Sequence, residues 1–334
     1  MNRLSIFSRL AAALGAVGVL TSCGSVFDDL EPCPTGIEMR FLYDINAESA
    51  NAFPAQVDCL TLHVYDAEGE FVKTFTETSA ARLSDEDWRL KADLEPGRYH
   101  AVAFGGLECD EASFAHETEP AAGSTYGDIR LRLRPDHVGR DLHNLFYGSA
   151  DFTIAPGGTG HTPVDLHMAK ATNTFRILLQ QTDGRAIDGR DFEFEITDAN
   201  GLLDHAANPV GGCPATVYPA HWRGSLLAED SRTALQEVPG VGIGEISTSR
   251  LYIPTSPRLK ITHTPAARTV MDIPLLPYLL ASQTEAEKKK WTPQEFLDRY
   301  GRWTMTFFLD PAMNWAQTTV IINGWSVRID NADL

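Results

Sequence analysis

The chain has 334 residues and carries 28 Lys and Arg against 45 Asp and Glu, which gives a formal net charge of −17. This length predicts two domains, and a hydrophobic content of 43% is enough to build their cores, so wholesale disorder is excluded. The acidic balance argues against a nucleic-acid partner and against electrostatic attraction to anionic lipid, because both depend on Lys and Arg.

The N-terminus has the pattern of a bacterial lipoprotein signal peptide over residues 1–22. A basic start precedes an apolar stretch at residues 10–20, and a helix of this length, roughly 16 Å, is too short for a hydrocarbon core of about 30 Å. Small residues ending at Ser22 lead directly into Cys23, which predicts cleavage between these two residues and acylation of Cys23. The alternative is an ordinary signal peptide followed by a chance cysteine.

The mature chain would therefore begin at Cys23. Two or more acyl chains hold a protein on a membrane, whereas a single chain binds reversibly. Residues 23–36 form the predicted lipidated tether, which places the first domain close to the membrane. Asp28, Asp29 and Glu31 in this tether resemble the surface-export signal of Bacteroidetes lipoproteins. A simple solvated linker is the alternative interpretation.

Four cysteines remain after Cys23, and in an exported protein they allow three disulfide connectivities. Cys33, Cys59 and Cys109 lie in the first half, so one disulfide within this set, with Cys213 unpaired, is one interpretation. Unpaired buried cysteines are the other, because a free cysteine behaves as a small hydrophobic residue. The sequence does not decide between them.

Alternating apolar residues predict about seven short strands between residues 37 and 170. In the first of them, Ile37, Met39, Phe41 and Tyr43 alternate with other residues, which is the period of a half-buried strand. The other strands are predicted at residues 60–65, 71–75, 99–104, 129–134, 144–154 and 164–168. Short strands separated by turns predict an N-terminal antiparallel β-sandwich over residues 37–170.

The second half, residues 171–334, repeats this style. Its one predicted helix covers residues 282–300, with Thr284 as the N-cap. Its strands are predicted at residues 175–179, 192–196, 249–253, 259–262, 269–273, 303–309, 318–322 and 325–329. The predicted fold class is therefore all-β, with two tandem antiparallel β-sandwich domains and one short helix in the second.

No catalytic or cofactor-binding pattern stands out, so we expect neither an enzyme nor a cofactor or metal site. The sequence lacks Gly-x-Ser-x-Gly, His-Glu-x-x-His and a phosphate-binding Gly-x-x-x-x-Gly-Lys motif. Asp198, Asn200 and Asp204 resemble the start of a calcium loop, but the distal Glu is missing. Turn formation is the better explanation of these three residues.

The tether and the start of the first strand contain no Lys or Arg between residues 24 and 39. Arg40 is the first such residue, and it lies inside the strand pattern, where backbone pairing would protect it. A trypsin-like protease therefore has no accessible position at which to release this segment.

Several sequence blocks, in this order and spacing, resemble the FimB-type fimbrial anchor subunits of Bacteroidetes across essentially the whole mature chain. The blocks are CPTG at 33–36, MRFLYD at 39–44, VDCLTLHVYD at 57–66, GRYHAVAFGG at 97–106, FEITDANG at 194–201, FFLD at 307–310 and IINGWSVR at 321–328. No single block is diagnostic, but their order and spacing are specific.

The resemblance implies a lipoprotein of the outer membrane, exposed at the cell surface, at the base of a type V pilus. It implies two transthyretin-like β-sandwiches and a shaft subunit as partner, bound by β-strand addition. Shaft subunits of the family lose an N-terminal strand to an arginine-specific protease, whereas an anchor must keep its lipidated segment. We expect residues 37–43 to stay paired and the shaft to bind a C-terminal strand at residues 320–329.

Two alternatives stay open at this point. One is a surface lipoprotein that binds a glycan or a host protein, for which Trp222, Trp291 and Trp303 are candidate contact residues if exposed. The other is a tip or accessory pilin of the same superfamily. Tandem sandwiches suit each of these functions, because a fold does not determine a function.

Overall fold

The computed structural model describes residues 35–158, 160–226, 240–316 and 319–327. The predicted signal peptide, the lipidation residue Cys23, the acidic patch and nearly all of the tether lie outside the described residues.

The described residues up to 170 form nine strands and two single-turn helices. The strands are β1 Thr35–Ile45, β2 Leu60–Tyr65, β3 Phe71–Glu77, β4 Leu90–Asp93, β5 Gly97–Gly105, β6 Phe114–His116, β7 Leu131–Leu133, β8 Phe146–Ile154 and β9 Gly160–Lys170. The helices are α1 Phe53–Gln56 and α2 Ala80–Leu83. Seven strands form one sheet in the order β3-β2-β5-β8-β9-β1-β4.

From residue 172 onward, the part of the chain that the structure describes forms eleven strands and three helices. The strands are β10 Thr172–Gln181, β11 Phe192–Asp198, β12 Leu202–Leu203, β13 Thr216–Pro219, β14 Trp222–Leu226, β15 Val241–Ser249, β16 Arg258–His263, β17 Arg268–Pro274, β18 Arg302–Leu309, β19 Val320–Ile322 and β20 Trp325–Val327. A six-stranded sheet has the order β14-β15-β10-β18-β19-β20, and a four-stranded sheet has the order β13-β11-β16-β17. The all-β prediction is confirmed.

Strand direction differs from the prediction at two places, since the sandwiches are not purely antiparallel. β1 runs parallel to β9, and β10 runs parallel to β18. Parallel strands need a long connection, and each pair is separated by more than a hundred residues of intervening chain. Alternation of apolar residues reports which face a side chain occupies, but it carries no information about the direction of the neighbouring strand.

The single predicted helix at 282–300 is wrong in extent, because two short helices occupy this region and a third ends just before it. They are α3 Leu275–Ala281, α4 Glu285–Lys288 and α5 Pro293–Arg299. Thr284 does cap a helix, since its side chain accepts a hydrogen bond from the Glu287 backbone N–H. Pro293 lacks an N–H and its ring excludes helical backbone before it, so a new helix starts there with Thr292 as its N-cap.

The strand predicted at residues 249–253 is also wrong. β15 precedes it and ends at Ser249, and Ile253 begins a 3₁₀ turn that contains Pro254. β15 was missed because it contains Gly242 and Gly244, which weaken a strand pattern. A Cβ at Gly244 would lie 2.5 Å from the Phe194 ring, so the glycine allows the two sheets to approach closely.

Two hydrophobic clusters form the core. The smaller one lies under the seven-stranded sheet and includes Ile37, Met39 and Phe41. The larger one fills the space between the other sheets and also takes in Phe104 and Phe114 from the first half. β12 of the second half pairs with β7 of the first, in a small sheet ordered β12-β7-β6. Core and backbone contacts therefore cross the predicted boundary at residues 170/171, which stays a prediction.

Candidate functional site

The first strand, β1, is held on both sides within its sheet. It pairs in parallel with β9 from Thr35↔Gly160 to Ile45↔Ala169, and in antiparallel with β4 from Gly36↔Asp93 to Met39↔Leu90. The side chains of Ile37 and Met39 are 0% exposed. Strand β4 covers what would otherwise be a free edge, so removal of β1 would expose both apolar surface and unpaired backbone groups.

Gly36 explains how closely β4 packs on the start of β1. A Cβ at Gly36 would lie 2.0 Å from the backbone carbonyl oxygen of Ala92. No rearrangement of a side chain could relieve this contact, because the neighbouring atom belongs to the backbone. The point at which the chain enters the sheet therefore requires glycine.

Arg40, the first basic residue after the signal region, lies within β1 and points to solvent. Its guanidinium pairs with the carboxylate of Asp165 on β9. The peptide bond after Arg40 joins two residues that both pair with the parallel strand β9. Arg40 lies opposite Asp165, and Phe41 lies opposite Leu166. A protease binds its substrate as an extended segment, and pairing with β9 holds this segment in the sheet on one side, whereas β4 pairs with β1 only as far as Met39.

The last described strands form a hairpin at one edge of the six-stranded sheet. β19 pairs with β18, and β20 pairs with β19 through Val320↔Val327 and Ile322↔Trp325. Asn323 and Gly324 both have positive φ, as a two-residue hairpin turn requires. Among the described residues, β20 has one neighbour only, and Trp325 is 60% exposed on it.

The three tryptophans considered for glycan contact have different environments. Trp303 is 1% exposed, and its indole N–H donates to Asn173, so it is a core residue. Trp291 is half-buried beneath the Arg299 guanidinium, which lies 4.8 Å from its ring centroid. Only Trp222, on the edge strand β14, is substantially exposed, at 45%. Of the three, it alone retains a face for an external ligand.

Arg299, at the end of α5, connects the second half of the chain to the end of β1. Its guanidinium donates to the backbone carbonyl oxygens of Asn46 at 3.1 Å and Asp44 at 3.5 Å. The Glu295 carboxylate accepts from the same group at 3.0 Å. This link lies at the opposite end of β1 from the predicted tether, and no local sequence pattern predicts it, because Arg299 is more than 250 residues away from Asn46 along the chain.

Arg250 makes a second, more deeply buried connection. It forms a bidentate ion pair with Asp298 of α5, in which both N···O distances are 2.7 Å. Arg250 is only 6% exposed. Its guanidinium also lies 4.9 Å from the ring centroid of Tyr147, on β8. Asp298 and Arg299 are adjacent, so α5 is attached to both halves through consecutive residues.

The structure joins Cys59 and Cys109 in a disulfide, and Cys213 is free and half-buried. Cys33 lies outside the described residues. Asp58 and His143 lie beside Cys109 and would complete a three-ligand cluster, but the disulfide removes the thiolate that metal binding needs.

The residues that resemble a calcium loop act as turn residues. Asn200 accepts a hydrogen bond from the Tyr218 hydroxyl at 2.6 Å and donates to the Arg250 carbonyl oxygen. Asp204 accepts from the backbone N–H groups of Ala206 and Asn208. Asp204 therefore bonds within its own loop, whereas Asn200 bonds to Tyr218 and Arg250, so the oxygens of these two residues serve separate structural contacts.

Two buried histidines, His63 on β2 and His116 on β6, face each other with their Nε2 atoms 3.1 Å apart. The His63 Nδ1 atom is 2.8 Å from the Thr74 hydroxyl. Burial lowers the pKa of His63 to about 3, assisted by its neighbour, and burial lowers the pKa of His116 to about 4. Both rings are therefore neutral near pH 7 and share one N–H between them.

Comparison with known proteins identifies the family to which this fold belongs. The family model described as fimbrillin-A associated anchor proteins Mfa1 and Mfa2 matches residues 30–331. The minor fimbrium anchoring subunit Mfa2 of Porphyromonas gingivalis is 19% identical over 283 residues, covering 82% of this chain and 81% of that protein.

Two solved structures extend this comparison. A Bacteroides thetaiotaomicron protein, provisionally described as an adhesin, is 38% identical with a TM-score of 0.83, over 90% of this chain and 100% of that chain. The fimbrial anchor protein Mfa2 of Porphyromonas gingivalis has a TM-score of 0.66 at 15% identity, over 89% of this chain and 100% of that chain.

The chain belongs to the Mfa2 family of fimbrillin-A associated anchor proteins. The prediction of a fimbrial anchor family is thereby confirmed. Membership implies association with a fimbrial shaft subunit and a location at the cell surface or outer membrane. No helix within the described residues is long and apolar enough to cross a membrane.

Proposed function

We propose that this protein is the lipid-anchored base subunit of a fimbrium, attached to the outer membrane through acylated Cys23 and exposed at the cell surface. The observation that carries the proposal is the position of β1, which is paired on both sides and buried along one face. A tether that continues into such a strand transmits a pull on the filament into the core of the protein. A loosely attached N-terminal segment would be pulled out instead.

The same strand supports a role in terminating assembly. A subunit that has lost its first strand offers an open groove, which accepts a strand from the next subunit by β-addition. In this protein β1 fills its own place, and Arg40 is held in the sheet by its pairing with β9 and by its ion pair with Asp165, which opposes cleavage after Arg40. A filament would therefore end at this subunit, because the place of the first strand is already filled.

Contact with the shaft subunit is assigned to the other end of the chain. β20 leaves one side of its backbone unpaired among the described residues, and Trp325 adds exposed apolar surface beside it. An incoming strand would gain backbone hydrogen bonds from this edge and would cover the indole ring.

The direct test is Cys23→Ala in the native cell, with Cys213→Ala as a matched control that removes a free cysteine elsewhere. We expect Cys23→Ala cells to shed intact filaments into the medium and Cys213→Ala cells to keep them. Imaging of the cells and immunoblotting of the supernatant give both measurements. Filaments that stay attached in normal number on Cys23→Ala cells would exclude the anchor function.

Exposed Trp222 on the edge strand β14 favours a second candidate, a surface lipoprotein that binds a glycan or a host protein. Deletion of the gene separates the two, because loss of fimbriae supports the anchor, while loss of glycan or host-protein binding with intact fimbriae supports the alternative. A tip or accessory pilin is distinguished by immunogold labelling, which would then mark the distal end of the filament rather than its base.

A further inference from the structure

A polar cleft of about 590 Å³ opens where the two halves of the chain meet. Its walls come from residues 110–111, 137 and 140–144, from the end of β9, and from the starts of β10 and β18. Among these described residues, Leu142 has the only aliphatic hydrocarbon side chain. The size suits a small ligand, but the lining would not retain an apolar one.

Lys170, the last residue of β9, brings a positive charge to this cleft on a largely buried side chain. The residue is only 7% exposed, and its side chain lies over Gly301, where a Cβ would come within 3.1 Å of Lys170 Cδ. Within the described parts of the chain, no carboxylate oxygen lies within 4.0 Å of its ammonium group and no side-chain hydrogen bond satisfies it. The ammonium group therefore faces the cleft without a protein partner, and a partner from outside the chain would offset the cost of burying the rest of the side chain.

Arg302, the first residue of β18, adds a second positive charge to the same cleft. Among the described residues it likewise has no carboxylate within 4.0 Å. The two cations are close enough that Arg302 disfavours the charged form of Lys170. Two such cations in one cleft are unusual in a chain with a net charge of −17. A bound anion would offset both the repulsion between Lys170 and Arg302 and the cost of burying the Lys170 side chain.

The rest of the lining limits the kind of anion. Asp110, Glu111 and Asp141 stand around the cleft and would repel an anion of charge −2 or more. The same carboxylates, together with the Asn144 amide and the Thr174 hydroxyl, are suitable hydrogen-bond partners for hydroxyl groups. A ligand with one carboxylate and several hydroxyls matches every part of this arrangement.

We propose that this cleft binds a sugar acid, with the carboxylate held between Lys170 and Arg302 and the hydroxyl groups directed to the surrounding polar side chains. The ligand is a free sugar acid or the acidic residue of a saccharide, since both present the same carboxylate and hydroxyls. This binding site is separate from the strand edges used for anchoring, so it does not depend on the proposed function.

The protonation of Lys170 gives the binding a characteristic pH dependence. Burial, together with a smaller contribution from Arg302 and against the opposing effect of Asp141, lowers the pKa of Lys170 to about 8. Arg140, His137 and His143 also face the cleft as cationic or titratable groups, opposite the carboxylates of Asp110 and Glu111. Because the anion binds the protonated amine, affinity should fall about tenfold between pH 7 and pH 9.

The test is isothermal titration calorimetry of the purified full-length protein with glucuronate, glucose and inorganic phosphate. We expect glucuronate to bind, glucose to bind at least tenfold more weakly, and phosphate to bind more weakly than glucuronate. Lys170→Met keeps the length of the side chain and should lower glucuronate affinity at least tenfold, as should Arg302→Gln. Lys289→Met, at an exposed position, is the matched control and should leave affinity unchanged.

Thermal unfolding without ligand checks that the variants fold. Lys170→Met should keep or raise the melting temperature, because it removes an unpaired buried charge. The proposal is overturned if glucuronate does not bind, if Lys170→Met and Arg302→Gln bind it as well as the parent, or if phosphate competes with equal affinity. A saccharide polymer with uronic acid ends that binds like free glucuronate would identify the saccharide as the source of the acid.

Discussion

The first and last described strands, β1 and β20, differ in almost every physical property that resists force. β1 has eleven residues, two neighbours and a face of fully buried side chains, whereas β20 has three residues, one neighbour among the described residues and a tryptophan that is 60% exposed. Removing β1 would open the core of its sheet, while displacing β20 would break one short ladder.

This difference assigns opposite tasks to the two ends of one chain. The N-terminal end, which is predicted to carry the lipid, continues into a strand that is buried in a core. The other end of this strand, β1, accepts a hydrogen bond from Arg299 of α5. The end proposed to meet the shaft is an edge that another strand can extend. A filament base needs both properties, because it must hold against a pull on one side and accept a partner on the other.

The largest expected effect comes from breaking the core face of β1. Phe41 is 3% exposed and stacks on Phe53 and Trp88, with ring centroids 5.7 and 6.1 Å away. Phe41→Ala should lower the free energy of unfolding by about 3–5 kcal/mol, because it removes buried apolar contacts and leaves a cavity. Denaturant unfolding measures this value.

Glu38→Ala, on the opposite face of the same strand, is the control and should change stability by less than about 0.5 kcal/mol. A loss below about 1 kcal/mol for Phe41→Ala would mean that β1 is not the rigid attachment described here.

An effect of similar size is expected from acid, and it arises from two histidines in the first half of the chain. His63 and His116 stay neutral in the folded state down to a pKa of about 3 and about 4, whereas unfolded histidine titrates near 6.5. Below pH 6.5 the unfolded state therefore binds more protons, and stability falls until the folded pKa values are reached. Each histidine should contribute up to about 1.4 kcal/mol per pH unit in this window.

The measurement is the free energy of unfolding between pH 7.5 and pH 4.5. A His63→Met, His116→Leu double variant should have a shallower dependence than the parent, while His167→Gln, at an exposed position, should match the parent. Identical slopes for the parent and the double variant would show that the pair is charged or exposed in the folded protein.

The buried face of β1 could be predicted from sequence. Burial of Ile37, Met39, Phe41 and Tyr43 follows from their period of two. The parallel direction of its neighbour β9 could not, since alternation does not encode direction. β15 was missed for a related reason, because Gly244 is selected by contact with Phe194 from another sheet and not by strand propensity.

The contacts between distant charged residues could not be predicted from the sequence. Lys170 was placed only as a boundary residue, and Arg302 lies more than a hundred residues further along the chain. Lys170 and Arg302 lie in the same cleft because β9 ends near the start of β18. No local sequence pattern predicts this proximity. Arg250 and Asp298 are separated in the same way, and their pairing depends on the position of α5.

The smallest effect on stability and the most selective effect on function are expected at β20. Trp325→Ser should change the free energy of unfolding by less than about 0.5 kcal/mol, because the side chain is already mostly in solvent. It should nevertheless release filaments from cells whose anchor remains in the membrane, since the edge would lose the apolar surface offered to the shaft. Trp222→Ser, on the opposite edge strand β14 of the same sheet, is the matched control and should leave filaments attached. If Trp222→Ser sheds filaments and Trp325→Ser does not, the shaft binds at β14, and the contrast between β1 and β20 loses its functional meaning.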